Sequence, residues 1–173
     1  MKVLFVIGSL SSGGAERVIS EMSNYWGRKG WEITVLTTNV TKKKQDFYIL
    51  DSSVKRIDIS SLLKGTKIKY FIKLSIGIRR IIRDEKPNVV ISFISGSNYV
   101  TILSMLGIKT PLIISDRSNP YLEKKINLKY KTFLYPFSDA LVLQTKGVQS
   151  YYSNIKKINI HTIPNPVREF TYK

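Results

Sequence analysis

The sequence predicts an α/β domain: a Rossmann-like, doubly wound and mainly parallel sheet of six to seven strands flanked by helices. Three observations predict it. Short apolar runs without alternation recur along the chain, as strands covered on both faces require. Between them lie segments whose apolar residues return every three to four positions, the helical period. The first strand then enters a loop of small residues ahead of a helix, which is where an open α/β sheet meets a ligand.

The elements follow in order. Residues 3–7 (Val-Leu-Phe-Val-Ile) are the first apolar run. Gly8-Ser9-Leu10-Ser11-Ser12-Gly13-Gly14 is the loop. From Ala15 the period changes: Val18, Ile19, Met22, Tyr25 and Trp26 fall at helical spacing. Arg28-Lys29-Gly30 closes that helix with cations at its negative end and a glycine free to turn left-handed. Residues 32–37 are the second strand, so residues 2–37 form a parallel pair with a right-handed crossover. Trp26 and Trp31 flank that turn as packing residues. Short β-prone pieces surround residues 47–50 and 54–59, and residues 66–85 read as a helix ended by Lys86-Pro87. Strands follow at 89–93, 111–115, 140–143 and 159–163, with helices at 98–106, 121–135 and 146–152. Pro164-Asn165-Pro166 is the one linker-like segment. The domain is therefore expected over residues 1–163, with 164–173 as the start of a linker.

Composition narrows the function. The chain has 173 residues, enough for one domain with a real core, and 43% of them are apolar, which rules out global disorder. It has no cysteine and one histidine, His161, so disulfide frameworks, thiolate metal sites and Ser-His-Asp or Cys-His chemistry are not supported. His161 reads as structural, and no metal site is expected. No apolar run reaches the ~18 residues a membrane span needs. The N-terminus lacks a cleavage site and reads as a strand rather than a signal, so a cytoplasmic location is the default. With 28 Lys plus Arg against 12 Asp plus Glu, the formal charge is +16, which attracts nucleic acid, anionic lipid or phosphorylated ligands. A Lys-rich composition bias is the plainer explanation of the same charge.

Three loops at carboxyl ends of strands are candidate sites. In Gly8–Arg17, the paired Gly13 and Gly14 let backbone amides approach a phosphate, and Glu16 and Arg17 occupy the first helical turn. The loop is neither GxGxxG nor a Gly-Lys-Ser/Thr phosphate loop. Ile94-Ser95-Gly96-Ser97-Asn98 offers Ser95 and Asn98 to sugar hydroxyls, or as helix caps. Asp116-Arg117-Ser118-Asn119-Pro120 offers Asp116 and Asn119 as hydrogen-bonding groups and Arg117 as a fork for a phosphate. An internal Asp–Arg pair with Asn-Pro turn chemistry explains that loop equally well. A fourth feature is the helix at 66–85. Phe71, Leu74, Ile78, Ile81 and Ile82 share one face, and Lys69, Lys73, Arg80 and Arg83 another, with Ile76 between them. Residues 40–86 carry +8, half the net charge. Such a helix can dock by one stripe and present the other to an anionic bilayer.

The loops and their order resemble the N-terminal domain of GT-B glycosyltransferases of the large group-4 family, in its bacterial polysaccharide and glycan-assembly branches. The residues that carry the resemblance are Gly13-Gly14-Ala15-Glu16-Arg17, Lys86-Pro87-Asn88-Val89-Val90, Ser115-Asp116-Arg117-Ser118-Asn119-Pro120, Ser138-Asp139-Ala140-Leu141-Val142 with Gln144-Thr145, and Ile163-Pro164-Asn165-Pro166-Val167. It covers essentially the whole chain.

The resemblance implies the acceptor-binding half of an enzyme that moves a sugar from a nucleotide-sugar donor to a glycan or polyprenyl-diphosphate-linked acceptor. It implies no metal and no cofactor beyond the nucleotide-sugar co-substrate. The nucleotide-sugar domain is absent from these residues, so the half is expected to be inactive alone. Gly13 and Gly14 match the loop that approaches the donor diphosphate. Asp116 and Arg117 match a loop that often carries a histidine, with Arg117 in the histidine's place as the best catalytic candidate. Asn165 falls at the interdomain hinge. The basic helix would hold the enzyme at the inner face of the plasma membrane, near an anionic carrier. The competing reading is a free-standing basic α/β domain that binds RNA or phosphorylated ligands. No nucleic-acid motif supports a specific nucleic-acid partner. A flavodoxin-like carrier fits the positive charge poorly.

Overall fold

A computed structural model describes residues 1–38, 46–59, 67–153, 155 and 157–165. Pro166 and the rest of the expected linker lie outside the described residues. Seven strands form one sheet in the order β3-β2-β1-β4-β5-β6-β7, every pair parallel. They are β1 Lys2–Ile7, β2 Glu32–Thr37, β3 Val54–Asp58, β4 Val89–Phe93, β5 Leu112–Ser115, β6 Ala140–Leu143 and β7 Asn159–Thr162. The helices are α1 Gly14–Arg28, α2 Lys67–Glu85, α3 Ser95–Met105, α4 Lys125–Leu134 and α5 Lys146–Tyr151. The doubly wound sheet is thus as expected, at the upper end of the strand range.

Burial explains the unbroken apolar runs. Every residue of β4 is buried, and all of β1 except Lys2, because both strands are covered on two faces. One layer of the core lies under α1, where Phe5 and Ile7 meet Val18, Ile19 and Val35. Trp26 stacks on Phe5 with ring centroids 5.7 Å apart, and Trp31 packs on Trp26 at a tilt of 32° and 5.1 Å, so both tryptophans are packing residues. The other layer lies under α2, α3 and the segment after α4, where Leu4, Val6 and Val90 meet Leu74, Ile78, Ile82, Val100 and Tyr135. Gly30 closes α1 at φ 80° and Gly107 follows α3 at φ 76°, the left-handed conformation that glycine adopts without penalty.

Several boundaries differ from the sequence reading. Residues 47–50 form no strand: the segment is held by Asn24, whose Nδ2 donates to the Ile49 carbonyl and whose Oδ1 accepts from the Asp51 amide. α3 begins at Ser95 rather than at 98, and α5 ends at Tyr151. The long helix expected over 121–135 is two pieces. A 3-10 turn over Pro120–Leu122, capped by Asn119, precedes α4, because Glu123 and Lys124 adopt extended backbone. His161 is exposed on β7, the edge strand.

Candidate functional site

β1 and β4 are neighbours in the sheet, yet their chains leave in opposite directions, β1 to β2 and β4 to β5. The crevice beyond their carboxyl ends is the switch point at which open α/β sheets bind ligands. A cavity of about 360 Å³ lies there, with Gly8, Ser9 and Glu16 on one side, Tyr70 and Phe71 of α2 on another, and Ile94, Ser97 and Tyr99 on the third.

The glycine loop delivers the start of α1 to this crevice. Gly13 is the N-terminal flanking residue, with extended backbone at φ −146° and ψ 160°. Its carbonyl accepts the Arg17 amide at 3.0 Å, so the amides of the first turn ahead of Arg17 have no intrahelical acceptor. Glu16 folds its carboxylate back over the Gly13 α-carbon, where a β-carbon would collide with it. Nothing lies within 4 Å of the place a Gly14 β-carbon would occupy. Arg17 does not face the crevice in the same way. Its Nε pairs with Glu21 Oε1 at 3.0 Å, one turn along α1.

On the β4 side, Ile94 joins strand to helix at φ 72° and ψ 138°. A β-branched residue in that region is strained by roughly 1–3 kcal/mol, and such strain collects at functional sites. The position is held by two bonds: the Ile94 amide donates to the Ser115 carbonyl at 3.0 Å, and the Ile94 carbonyl accepts from the Asn98 amide at 2.9 Å. Replacing Ile94 by glycine should therefore raise stability by about 1 kcal/mol, after allowance for the freer unfolded chain. Urea unfolding of the two proteins checks it, and a loss of stability would show that the strain is absent.

The third loop is built differently from the expectation. Asp116 and Asn98 were candidates for contact with substrate, but Asp116 is 1% exposed and Asn98 fully buried. Asn98 Nδ2 donates to the Ser115 carbonyl at 3.1 Å, tying α3 to β5. Both oxygens of Asp116 are occupied internally. Oδ2 receives Lys131 Nζ at 2.7 Å, Tyr135 Oη at 2.9 Å and Tyr152 Oη at 3.0 Å. Oδ1 receives Ser118 Oγ at 2.6 Å, the Ser118 amide at 3.2 Å and Ser95 Oγ at 3.4 Å. Lys131 is itself fully buried and reaches Glu123 Oε1 at 2.6 Å and Ser118 Oγ at 2.9 Å as well. Burial alone would push the Asp116 carboxyl up, but the Lys131 ammonium and the Ser118 bonds outweigh it and hold the pKa below its ordinary value. Burial next to this carboxylate pushes the Tyr135 and Tyr152 phenols up, so both stay protonated donors. In this structure Asp116 and Asn98 are buried and hold the loop through these bonds. Ser95 sits half-buried at the rim of the same network.

Asn119 is exposed, and its Oδ1 accepts the Tyr121 amide at 3.1 Å, capping the 3-10 turn. Arg117 points to the opposite face of the sheet from Asp116, as strand alternation requires. Its guanidinium lies 4.9 Å from the Phe93 ring centroid, Nε donates to Ser115 Oγ at 3.2 Å, and Nη1 donates to Asn165 Oδ1. The hinge asparagine and the arginine expected to be catalytic are therefore partners. Among the described residues no group of three or more His, Cys, Asp or Glu could hold a metal ion, and no helix is long and apolar enough to cross a membrane.

The sequence profile described as Glycosyltransferase Family 4 matches residues 12–169, most of the chain. The chain belongs to glycosyltransferase family 4. Two curated relatives come from Campylobacter jejuni. One, named as a GalNAc-alpha-(1->4)-GalNAc-alpha-(1->3)-diNAcBac-PP-undecaprenol alpha-1,4-N-acetyl-D-galactosaminyltransferase, is 32% identical over 170 residues, covering 96% of this chain and 46% of its own length. The other, an N-acetylgalactosamine-N,N'-diacetylbacillosaminyl-diphospho-undecaprenol 4-alpha-N-acetylgalactosaminyltransferase, is 26% identical over 177 residues, covering 92% of this chain and 47% of its own. Among solved structures, the lipopolysaccharide outer core galactosyltransferase WaaB superposes with a TM-score of 0.71 at 18% identity, over 96% of this chain and 46% of that one. Anabaena HepE in complex with UDP and glucose gives 0.71 at 14% identity, over 96% and 45%. These likenesses establish the Rossmann-like fold of a GT-B half. The chain spans about half the length of the curated relatives it matches.

Within this family 4 domain, sequence reasoning found the glycine loop and the three strand ends. It missed Lys131, Tyr135 and Tyr152, which anchor the third loop. The available signal was a lysine at helical spacing from Leu128 and Tyr135, inside an apolar stripe.

Proposed function

We propose that the chain is the acceptor-side half of a metal-independent glycosyltransferase. The whole enzyme would move a sugar from a nucleotide-sugar donor to a glycan carried on a polyprenyl diphosphate, at the cytoplasmic face of the plasma membrane. The observation that carries this is the N-terminus of α1 at the switch-point crevice, with free space at Gly14 and the Glu16 carboxylate over Gly13 as the group a diphosphate would displace. The names of both curated relatives, which specify undecaprenol-diphosphate-linked substrates, support the acceptor class.

The chemistry asks for stabilisation of negative charge on a departing diphosphate. First-turn amides of α1 supply it with donors and the helix dipole, already oriented before reaction. Gly14 lets the diphosphate come close, and Glu16 and Ser97 border the acceptor. Arg117 acts on the hinge through Asn165, and a closing donor domain would bring its remaining donors toward a phosphate. No residue here needs a metal.

The outer face of α2 carries Lys69, Lys73, Arg80 and Arg83, all exposed, with Ile72 and Ile76 among them at 54% and 63% exposure. The opposite face is anchored by Leu74, Ile78 and Ile82, and Arg79 fastens α2 to the end of α3 through the Ser104 and Leu106 carbonyls. Each cation near an anionic surface contributes about 1 kcal/mol.

Two assays test the reading. The full-length protein, given a panel of nucleotide sugars and a synthetic polyprenyl-diphosphate glycan, should transfer sugar to the lipid-linked acceptor equally well with and without EDTA. Transfer to free sugars alone, or loss of transfer in EDTA, would overturn it. Changing Lys69, Lys73, Arg80 and Arg83 together to glutamine should weaken binding to anionic vesicles at least about tenfold at low salt. Equal binding of the parent protein to neutral and anionic vesicles would sink the membrane part.

A further inference from the structure

The crevice beyond β1 and β4 is two-sided in character. Phe71 and Ile94 line it and are 39% and 38% exposed, an aromatic ring and a branched side chain open to solvent beside the buried Leu74 and Val100. Its polar lining comes from Ser9 and Glu16 on the α1 side and from Ser97 in the first turn of α3. Among the described residues that line the cavity, Glu16 is the one that carries a charge. That is unexpected in a chain with 28 Lys plus Arg against 12 Asp plus Glu.

The aromatic wall is held in place. Tyr70 Oη donates to the Thr38 carbonyl at 2.6 Å, and the Thr38 amide donates to the Ile7 carbonyl at 3.0 Å, so the start of α2 is tied to the ends of β2 and β1. Leu74, three residues beyond Phe71, is packed in the core. Phe71 lies between these two anchors, so its position is set before a ligand arrives.

These features specify a ligand. A pyranose is itself two-sided: ring C–H groups make an apolar face, and hydroxyls stand around its edge. The C–H face suits an aromatic ring, and the hydroxyls can donate charge-assisted hydrogen bonds to a carboxylate. At about 360 Å³ the cavity is at the small end of the ~300–1,000 Å³ usual for ligand sites, so it takes one ring and leaves the rest of a glycan outside.

We propose that this crevice receives the terminal ring of the acceptor as a neutral pyranose, its C–H face on Phe71 and its hydroxyls toward Glu16 and Ser97, and that Glu16 discriminates against terminal uronic acids. This rests on the acceptor-side reading above, and adds the class of sugar and the residues that select it. A ring carboxylate fits the shape but brings like charges together in a cleft that the ligand itself dries. A donor diphosphate reaches the first-turn amides of α1, which offset the Glu16 charge; a carboxylate on a ring stacked against α2 does not. The net charge of +16 acts at longer range and is screened by salt, whereas Glu16 acts at contact.

Kinetics of the full-length enzyme test the proposal. The donor is the nucleotide sugar that supports transfer, and two synthetic polyprenyl-diphosphate acceptors differ only at C6 of the terminal sugar, hydroxymethyl in one and carboxylate in the other. The parent enzyme should favour the neutral acceptor at least about tenfold in kcat/KM, and Glu16→Gln should narrow that ratio at least about fivefold, whatever its effect on the absolute rate. Phe71→Ala should raise the acceptor KM about tenfold with the donor KM unchanged, and Phe71→Tyr should stay within about twofold of the parent. Gly96 also lines the cavity, and nothing lies within 4 Å of the place its β-carbon would occupy. Gly96→Leu should therefore fill the space without a loss of stability in urea, and raise the acceptor KM in the same way. Equal use of the two acceptors, or a ratio that Glu16→Gln leaves unchanged, would overturn the selection by charge. An acceptor KM indifferent to both Phe71→Ala and Gly96→Leu would overturn the placement of the ring. Either result, with transfer to the neutral lipid-linked acceptor intact, would leave the acceptor-side reading standing. Transfer to free sugars alone would remove both.

Discussion

Lys131→Ala should lower the stability of the domain by about 3–5 kcal/mol, the usual consequence of deleting one partner of a buried ion pair. The ammonium is fully buried and lies 2.6–2.9 Å from oxygens of Asp116, Glu123, Ser118 and Tyr152. Its removal leaves the Asp116 carboxylate enclosed with only neutral donors, and Glu123 without its partner. The asymmetry matters more than the mean strength of the pair: an apolar replacement of the whole cluster could be neutral, but half a cluster is an uncompensated charge. Urea unfolding measures it, with Lys129→Ala on the exposed side of the same helix as a reference expected to change stability by less than about 0.5 kcal/mol. A small effect at Lys131 would mean that water reaches the cluster. The same network sets the acid response. Because folding lowers the Asp116 pKa, its contribution is complete above the unfolded value near 4 and is lost as pH falls toward the folded value. Without Lys131 that carboxyl should rise, and acid destabilisation should begin at higher pH.

Gly14→Val should separate folding from function. Free space surrounds the position of its β-carbon, and Gly14 is the first residue of α1 rather than a left-handed turn. The substitution should therefore leave stability within about 1 kcal/mol of the parent. In the full-length enzyme the added side chain would stand where a diphosphate must meet the first-turn amides. Turnover should fall about a hundredfold or more, the scale for losing a preorganised donor to developing charge. Circular dichroism with urea unfolding reports the first expectation and initial-rate kinetics the second. Unchanged turnover would move the diphosphate away from α1.

How much of this was legible in the sequence depends on which physical signal each element carried. β4 and β6 could be read to the residue, because a strand buried between helices has no polar alternation and ends where turn residues begin. The glycine loop was legible for a similar reason: small residues between an apolar run and a helical period have few other uses. α4 was not. Its sequence carries two stripes, Leu128-Lys131-Tyr135 and Ile126-Tyr130-Phe133, and hydrophobicity favours burying the second. The structure buries the first, because Asp116 and two phenols give Lys131 a complete set of partners that only the tertiary fold assembles. The same hidden partnership makes Asp116 a support of its loop. Neither residue type nor spacing reveals that a carboxylate two positions past the buried Ile114 will be closed over by chain from residues 131–152.

The strand order also has a history in time. β1 lies in the middle of the sheet, with β2 on one edge and β4 on the other, and Val3 is in register with Val89. β2 begins four residues after α1 ends and can close on β1 at once. The second edge of β1 stays without its strand until the chain has been made through residue 93. Lengthening such a loop adds little to the entropy of closing it, so the wide separation weighs lightly on final stability and heavily on the order of assembly. A ribosome making this domain therefore holds, until residue 93 is in place, a hydrophobic strand edge waiting for a partner.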